Sequence, residues 1–482
     1  MTAPSTATDP HATAAPLRVA LLGLGTVGRE VARGLLAGDT RLADGSGGRG
    51  LRLVAVADRD PARFEGLPLD GVDRTDDGAR LIGRPDVDAV VELIGGVEGA
   101  GRLVAAALDA GHAVVTANKA LLSRRGAELE CRARERGVAL RFEAAVGGAI
   151  PVLATLAADL AANRIDAVRG IVNGSTNYVL TSLAQEGGSY DGAIARAKEL
   201  GYLEADPSAD VEGRDAADKL AILARLAFGA WPDVTAIRRA LPAFETDGGG
   251  RAAAAGRAGG SGTRPPGDSR GAAGTHPMGG SPGSAGTRPT GGSPGSAGTR
   301  PPGDSRGSAG TRPPSDGLPG ITGVTAAQIE AACRLGFTVR LVARTARAGD
   351  AVTAWVLPVA VPSESALART DWAENRIEID GDPVGRVALV GQGAGGGPTS
   401  SAILGDLLAV ARGEGSTWAG LPAAGSLAAD RLTDGMAEPR RWLVTTPGGE
   451  ARLAGPVALD GLRVHLAGTG AGASVLPVLD EG

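Results

Sequence analysis

The stretch LGYLEADPSADVEGRDAADK, Leu200 to Lys219, sets six carboxylates (Glu204, Asp206, Asp210, Glu212, Asp215 and Asp218) in front of one lysine. Acid side chains bind an ammonium group, and a lysine among them could donate a proton to a carbonyl oxygen as hydride arrives. From Gly213 the apolar residues Ala217, Leu220, Ala221, Leu223, Ala224 and Ala227 recur at helical spacing, with Asp215 and Lys219 four apart on one face. An exposed pair at that spacing accounts for ~0.3–0.5 kcal/mol and nothing more. It leaves Glu204, Asp206 and Asp210 unexplained, since these lie in a Pro-containing loop leading into the helix. On the residues alone, a solvated helix face and a pocket for an amino-acid ammonium stand level.

A second group of residues points to a cofactor. Gly23-Leu24-Gly25-Thr26-Val27-Gly28 follows the apolar run LRVALL and opens the segment REVARGLL. In that strand–turn–helix context the glycines allow a tight turn and close approach to a pyrophosphate, which the helix N-terminus attracts. The next apolar run, LRLVAVAD, ends at Asp58, placed to bond the ribose hydroxyls of NAD, while the adjacent Arg59 suits the 2′-phosphate of NADP; the choice stays open. Lys119 in VVTANKALL comes just after a strand, at the carboxyl edge where open parallel sheets bind ligands. His112, at the mouth of the same strand, reads as a packing residue.

These residues need elements to position them, and the chain alternates strand and helix as a parallel, doubly wound sheet requires. Strands are expected at DAVVELIG, HAVVTA and GVALRFEAAV, and residues 17–151 form the expected nucleotide-binding domain. A mostly helical region with a strand near VRGIVNG follows, then a tract of different composition. Gly is 77 and Pro 30 of 482 residues, and much of that excess falls between 246 and 317, where G-T-[RH]-P recurs every twelve residues from Gly262. Such dodecamers hold no residue large enough to bury, so a disordered linker is expected rather than a solenoid. A long insertion of this kind is tolerated because closure entropy grows slowly with length.

Net charge is −5, with no polybasic face for nucleic acid. No stretch approaches the ~18 apolar residues of a membrane helix. Cys131 and Cys333 lack partners at metal-ligand spacing, and the four histidines are scattered, so a reducing, cytoplasmic setting fits best. Residues 1–16 are expected to be a disordered tail.

Taken together, GLGTVG, VELIGG, VVTANKALL, FEAAVGGAIPVL, GIVNGSTNYVL, AKELGYLEADPSADVEGRDAADKLAILA and GQGAGGGPTSSAILGD resemble the blocks of the homoserine dehydrogenase family, in its order. The resemblance covers most of Leu17 to Ala411 outside the repeat tract. It implies NAD- or NADP-dependent, reversible reduction of L-aspartate 4-semialdehyde to L-homoserine, towards threonine and methionine. It also implies Lys219 as proton donor or acceptor with Lys119 near the reacting centre, and Glu204, Asp215, Gly174, Thr176 and Tyr202 at the substrate. Gly395 would approach the nicotinamide. FEAAVGGAIP resembles the family's Na+ or K+ site, formed by the Glu143 side chain and the main-chain oxygens of Val146, Gly148 and Ile150.

The implied fold is α/β, a Rossmann-type doubly wound parallel sheet domain plus an α/β substrate and dimerisation domain, with the low-complexity insertion. The nucleotide domain would be completed by residues 386–411, the second domain formed by 152–245 and 318–385, and homodimerisation would run through its sheet. Arg340 stands where relatives usually carry lysine. After residue 411, RRWLVTT, ARLAGPVAL and LRVHLAG suggest short strands rather than a regulatory βαββαβ domain. A dehydrogenase of a related semialdehyde and a nucleotide-binding sensor without turnover are the competing readings.

Overall fold

LRVALL, Leu17–Leu22, is almost wholly buried in the computed structural model, as an apolar run sandwiched between helices must be. The structure describes residues 15–38, 40–241, 317–426, 431–466, 469 and 473–480. The disordered tail expected at residues 1–16 falls mostly, and the insertion expected at 246–317 almost wholly, outside the described residues.

Strands β1 (Leu17–Leu22), β2 (Leu51–Ala57), β3 (Asp73–Thr75), β4 (Ala89–Glu92), β5 (Ala113–Thr116) and β6 (Leu140–Arg141) pair in parallel, in the order β3-β2-β1-β4-β5-β6. That order reverses beside β1, so the crevice at the carboxyl ends of β1 and β4 is the topological switch point where ligands bind. Helices α1 (Thr26–Leu36), α2 (Thr40–Gly45), α3 (Glu98–Asp109) and α4 (Lys119–Arg136) connect these strands. The strand expected across GVALRFEAAV is shorter than its apolar pattern suggests. Only Leu140–Arg141 pairs, and Glu143–Ala145 forms a single 3₁₀ turn.

The second sheet is mixed. β7 (Arg164–Ile171), β9 (Phe337–Ala348), β10 (Ala351–Pro362), β11 (Glu374–Asp382) and β12 (Gly385–Gln392) lie in the order β12-β11-β7-β9-β10, and β14 (Leu432–Thr433) adds to β10 in parallel. β8 (Ala230–Trp231) pairs separately with β13 (Gly425–Ser426). Helices α5 (Val152–Ala154), α6 (Gly174–Gln185), α7 (Tyr190–Glu199), α8 (Ser208–Val211), α9 (Arg214–Phe228) and α10 (Ala326–Arg334) accompany this sheet. Leu220, Ala221 and Leu223 of α9 share one apolar core with Val168 of β7 and Val356 of β10. Because β12 belongs to this sheet, the chain returns to the nucleotide unit with α11 (Gly396–Ala411) and not at residue 386. Ile403, Leu407 and Ala411 of α11 then bury themselves beside Val31 and Leu35 of α1.

After α11, β15 (Arg440–Thr445), β16 (Ala451–Val457) and β17 (Ser474–Pro477) form an antiparallel sheet in the order β16-β15-β17. Its Trp442 shares an apolar cluster with Trp355, Leu357 and Val359 of β10. In place of the strand suggested at LRVHLAG, Leu462–His465 is a helical turn, α12. Leu462 and Leu466 are buried while Val464 is 78% exposed. A spacing of four, not two, therefore decides the conformation.

Candidate active site

Helix α9 begins after Gly213, which adopts φ 72° where a side chain would be strained. The turn sets Asp215 in the first turn of α9, with Lys219 one turn on. Asp215 Oδ2 lies 2.8 Å from Lys219 Nζ, and its Oδ1 lies 3.1 Å from Lys119 Nζ. Lys119 is the first residue of α4, which is capped by Asn118, whose Oδ1 accepts from the Leu121 N–H at 3.1 Å. The two predicted catalytic lysines thus meet on one carboxylate, one from each sheet's helices.

Lys219 is only 7% exposed and also donates to the Val172 carbonyl at 2.6 Å. An ammonium has three N–H donors. Two are directed at Asp215 and Val172, and the third has no acceptor among the described residues. Burial opposes ionisation of Asp215, but Lys219 and Lys119 outweigh it and hold its carboxyl well below the usual range. The Asp215 charge in turn raises the pKa of Lys119 against the effect of burial.

The acidic stretch divides by function. Asp210 joins the cluster, because Asn173 Nδ2 donates both to Asp210 at 2.6 Å and to Asp215 at 2.8 Å. Burial raises the Asp210 pKa against that hydrogen bond, and the Asp215 charge adds to the rise. Asp218 ties α9 to α4 by accepting from Ser123 Oγ at 2.7 Å and Arg124 at 2.9 Å. Asp206 accepts from the Ser208 N–H at the start of α8, and Glu212 lies 3.7 Å from Arg214. Glu204 is exposed and makes no hydrogen bond or ion pair among the described residues.

Of the other expected substrate residues, Tyr202 packs against Tyr178 with tilted rings and centroids 4.9 Å apart, and Tyr178 meets Trp372 at 5.5 Å. Gly174 is required by closeness: a Cβ there would lie 2.5 Å from the Ala373 carbonyl oxygen. Thr176 is buried, and its hydroxyl is engaged with Asn173. In this conformation it braces the cluster. Asn173 was not singled out by sequence; the N-cap residue type before GSTNYVL was its one local signal.

At the glycine turn, Gly23 adopts φ 96°, and a Cβ there would lie 2.6 Å from the Leu93 carbonyl oxygen. A Cβ on Gly28 would lie 2.0 Å from the Gly23 oxygen. Gly25 caps α1 with no side-chain hydrogen bond, so the N–H groups of the first turn, at Thr26, Val27 and Gly28, receive no side-chain cap. Asp58 accepts from the Leu24 N–H at 2.7 Å and fixes the turn to the end of β2. Asp58 and Arg59 line a cleft of about 940 Å³ with Arg63, Ile94 and Gly95.

Arg63, four residues beyond the pair weighed by sequence, lies beside the turn, with Nη1 3.2 Å from where a Gly25 Cβ would be. Buried Glu92 stabilises the opposite wall by accepting from the Ile94 and Gly95 N–H groups and from Thr116 Oγ1. Gly395 caps α11 at φ 117°, and α11 packs against α1 through Leu404, which approaches Gly34. His112 is buried, and its Nε2 accepts from the Gly83 N–H, a packing role.

No group of three or more His, Cys, Asp or Glu side chains suited to a metal occurs among the described residues. The family-type cation site has a different donor set, one carboxylate and three carbonyls. Burial and the nearby Asp406 raise the Glu143 carboxyl to about 7. Its oxygens accept from the Leu153 and Ala154 N–H groups at 2.9 and 2.8 Å. Gly147 and Gly148 adopt φ 77° and 58°, backbone that a side chain would strain. A buried carboxylate with a second acid beside it is chemistry that suits a hard monovalent cation.

Comparison with known proteins gives a consistent result. Residues 23–143 match the family model described as the NAD-binding domain of homoserine dehydrogenase, and residues 151–256 and 310–408 match the homoserine dehydrogenase model. The homoserine dehydrogenase of Corynebacterium glutamicum is 37% identical over 421 residues, covering 84% of this chain and 76% of that protein. That of Bacillus subtilis is 31% identical over 395 residues, covering 82% and 72%. Among solved structures, a homoserine dehydrogenase from Thiobacillus denitrificans matches with TM-score 0.70 at 27% identity, over 97% of this chain and 99% of that one.

Proposed function

This chain belongs to the homoserine dehydrogenase family, and from that premise we propose that it interconverts L-aspartate 4-semialdehyde and L-homoserine at the cluster of Lys219, Asp215 and Lys119. The observation that carries the assignment is the buried Lys219 ammonium, with two donors fixed by Asp215 and Val172 and one left over. When bound, the nicotinamide supplies hydride to the aldehyde carbon and, in the reverse direction, accepts it from the alcohol carbon. Lys219 gives its proton to the carbonyl oxygen as negative charge develops there, and takes it back in alcohol oxidation. Asp215 fixes the Lys219 ammonium in place, and Lys119 contributes a second positive charge to the same pocket.

Asp210 supplies a carboxylate for the substrate ammonium, with Glu204 entering from the exposed loop. The Gly23–Gly28 turn and the N-terminus of α1 hold the pyrophosphate, while Asp58 faces the ribose and Arg59 and Arg63 suit a 2′-phosphate. Glu143 with the carbonyls of Val146, Gly148 and Ile150 would hold Na+ or K+ and stiffen the link between the two sheets. β12 is an edge strand among the described residues, with Val390 exposed on it and Val384 exposed just before it, which supports a homodimer formed through the second sheet.

Lys219→Ala tests the assignment. It removes the proton donor and leaves the glycine turn untouched, so turnover should fall by about two orders of magnitude or more with nucleotide binding retained by fluorescence titration. Near-normal turnover would remove Lys219 from the chemistry.

A further inference from the structure

Asn173 is 5% exposed, and its side-chain oxygen and both amide protons have partners. Its Oδ1 accepts from the Thr176 N–H at 2.9 Å and shares the reach of the Thr176 hydroxyl with the Asn173 main-chain oxygen. Its two Nδ2 protons go to separate carboxylates, Asp210 at 2.6 Å and Asp215 at 2.8 Å. The opposite amide orientation would set an oxygen against both acids, so the assignment of donor and acceptor has only one solution. A cap for α6 needs the oxygen alone. The amide nitrogen is surplus to the helix, and it is spent on holding two like charges side by side.

We propose that Asn173 is a positioning residue for the reaction: it fixes the spacing of the Asp210 and Asp215 carboxylates and so holds Lys219 in line for proton transfer while Asp210 stays free to meet the substrate ammonium. The inference rests on the functional reading above. Charged groups face this point from three helices: Lys119 from α4, Asp210 from α8, and Asp215 and Lys219 from α9, with Asp218 acting on Lys119. Lys219 is bound to Asp215, and the adjacent Val172 carbonyl, which also holds it, precedes Asn173 in the chain. Displacing Asp215 therefore changes the direction of the remaining Lys219 donor, and Asp210 is tied to Asp215 through the shared Asn173 amide.

The test is Asn173→Asp. It keeps the size of the side chain and the oxygen that caps α6, and it replaces both donors with an acceptor facing two carboxylates. Homoserine oxidation by Asn173→Asp and wild-type protein is measured between pH 6 and 9.5, with Asn173→Ala as the second variant and nucleotide binding by fluorescence as the check on folding. Asn173→Asp should lose at least tenfold in kcat at the alkaline end. Its ratio to wild type should recover at least threefold towards pH 6, where a proton on the new carboxyl restores one donor. Asn173→Ala has no proton to regain, so its ratio should be low and flat. A flat Asn173→Asp ratio, a loss under twofold at the alkaline end, or the same recovery in Asn173→Ala overturns the proposal. Absence of turnover in the wild type would instead contradict the underlying assignment of the reaction.

Discussion

Replacing Asp215 by Asn keeps the shape of the side chain and removes its charge from between two lysines. The carboxylate side chain is 12% exposed and lies 2.8 Å from Lys219 and 3.1 Å from Lys119. Breaking a buried ion pair from one side costs about 3–5 kcal/mol, because the partner charge is left without compensation. Lys119, with a side chain 37% exposed, can rehydrate; Lys219 cannot. The lower end, about 3 kcal/mol, is therefore expected for stability. If the same interaction orients Lys219 for proton transfer, each ~1.4 kcal/mol lost is about tenfold in rate, and kcat should fall a hundredfold or more.

The pH dependence has a definite sign. The folded pKa of Asp215 is depressed, so its contribution is present above the ordinary carboxylate value of ~3.9 and is lost as pH falls through the depressed value. The Lys119 pKa is raised, so its share is present below ~10.4 and is lost as pH rises through the raised value. Denaturant unfolding of both proteins should show a gap that is constant from about pH 5 to 10 and narrows outside that window. A variant within 1 kcal/mol of wild type in stability and within threefold in kcat would refute the reasoning.

Two other predictions follow from the cofactor and cation sites. Glu143 is raised to about 7 from an ordinary ~4.3, so the native state binds the extra proton across that interval and the stability it contributes falls as pH rises through it. A bound cation offsets that loss, and stabilisation by K+ relative to choline should be larger at about pH 8 than at about pH 5.5; equal effects at both would contradict the cation site. Arg63→Ala should raise KM for NADP+ by about tenfold and for NAD+ by much less, the loss expected of one charge-assisted contact to a 2′-phosphate. Equal effects on both nucleotides would place Arg63 outside that role.

Features carried by local chain geometry were legible in the sequence. The Gly23–Gly28 turn, the buried parallel strands and the Asp215–Lys219 spacing follow from backbone conformation and helical period, which neighbouring residues set. What stayed hidden depends on contacts between distant segments. Asn173 meets Asp210 and Asp215 only after β7 and α9 pack, and Arg63 reaches the glycine turn only because β2 lies beside β1. Arg340, unassigned on sequence grounds, is buried and ties Thr181 of α6 to the Ala368 carbonyl and Asp371. LRVHLAG misleads because its alternating apolar residues satisfy a strand pattern, while the neighbouring apolar cluster takes up only Leu462 and Leu466.

Initial-rate oxidation of L-homoserine by the full chain, with NAD+ and NADP+ in parallel and K+ present, tests the central claim most directly. Turnover that is abolished by Lys219→Ala with nucleotide binding intact is the predicted result. A folded wild-type protein that binds either nucleotide and leaves homoserine unoxidised would contradict it.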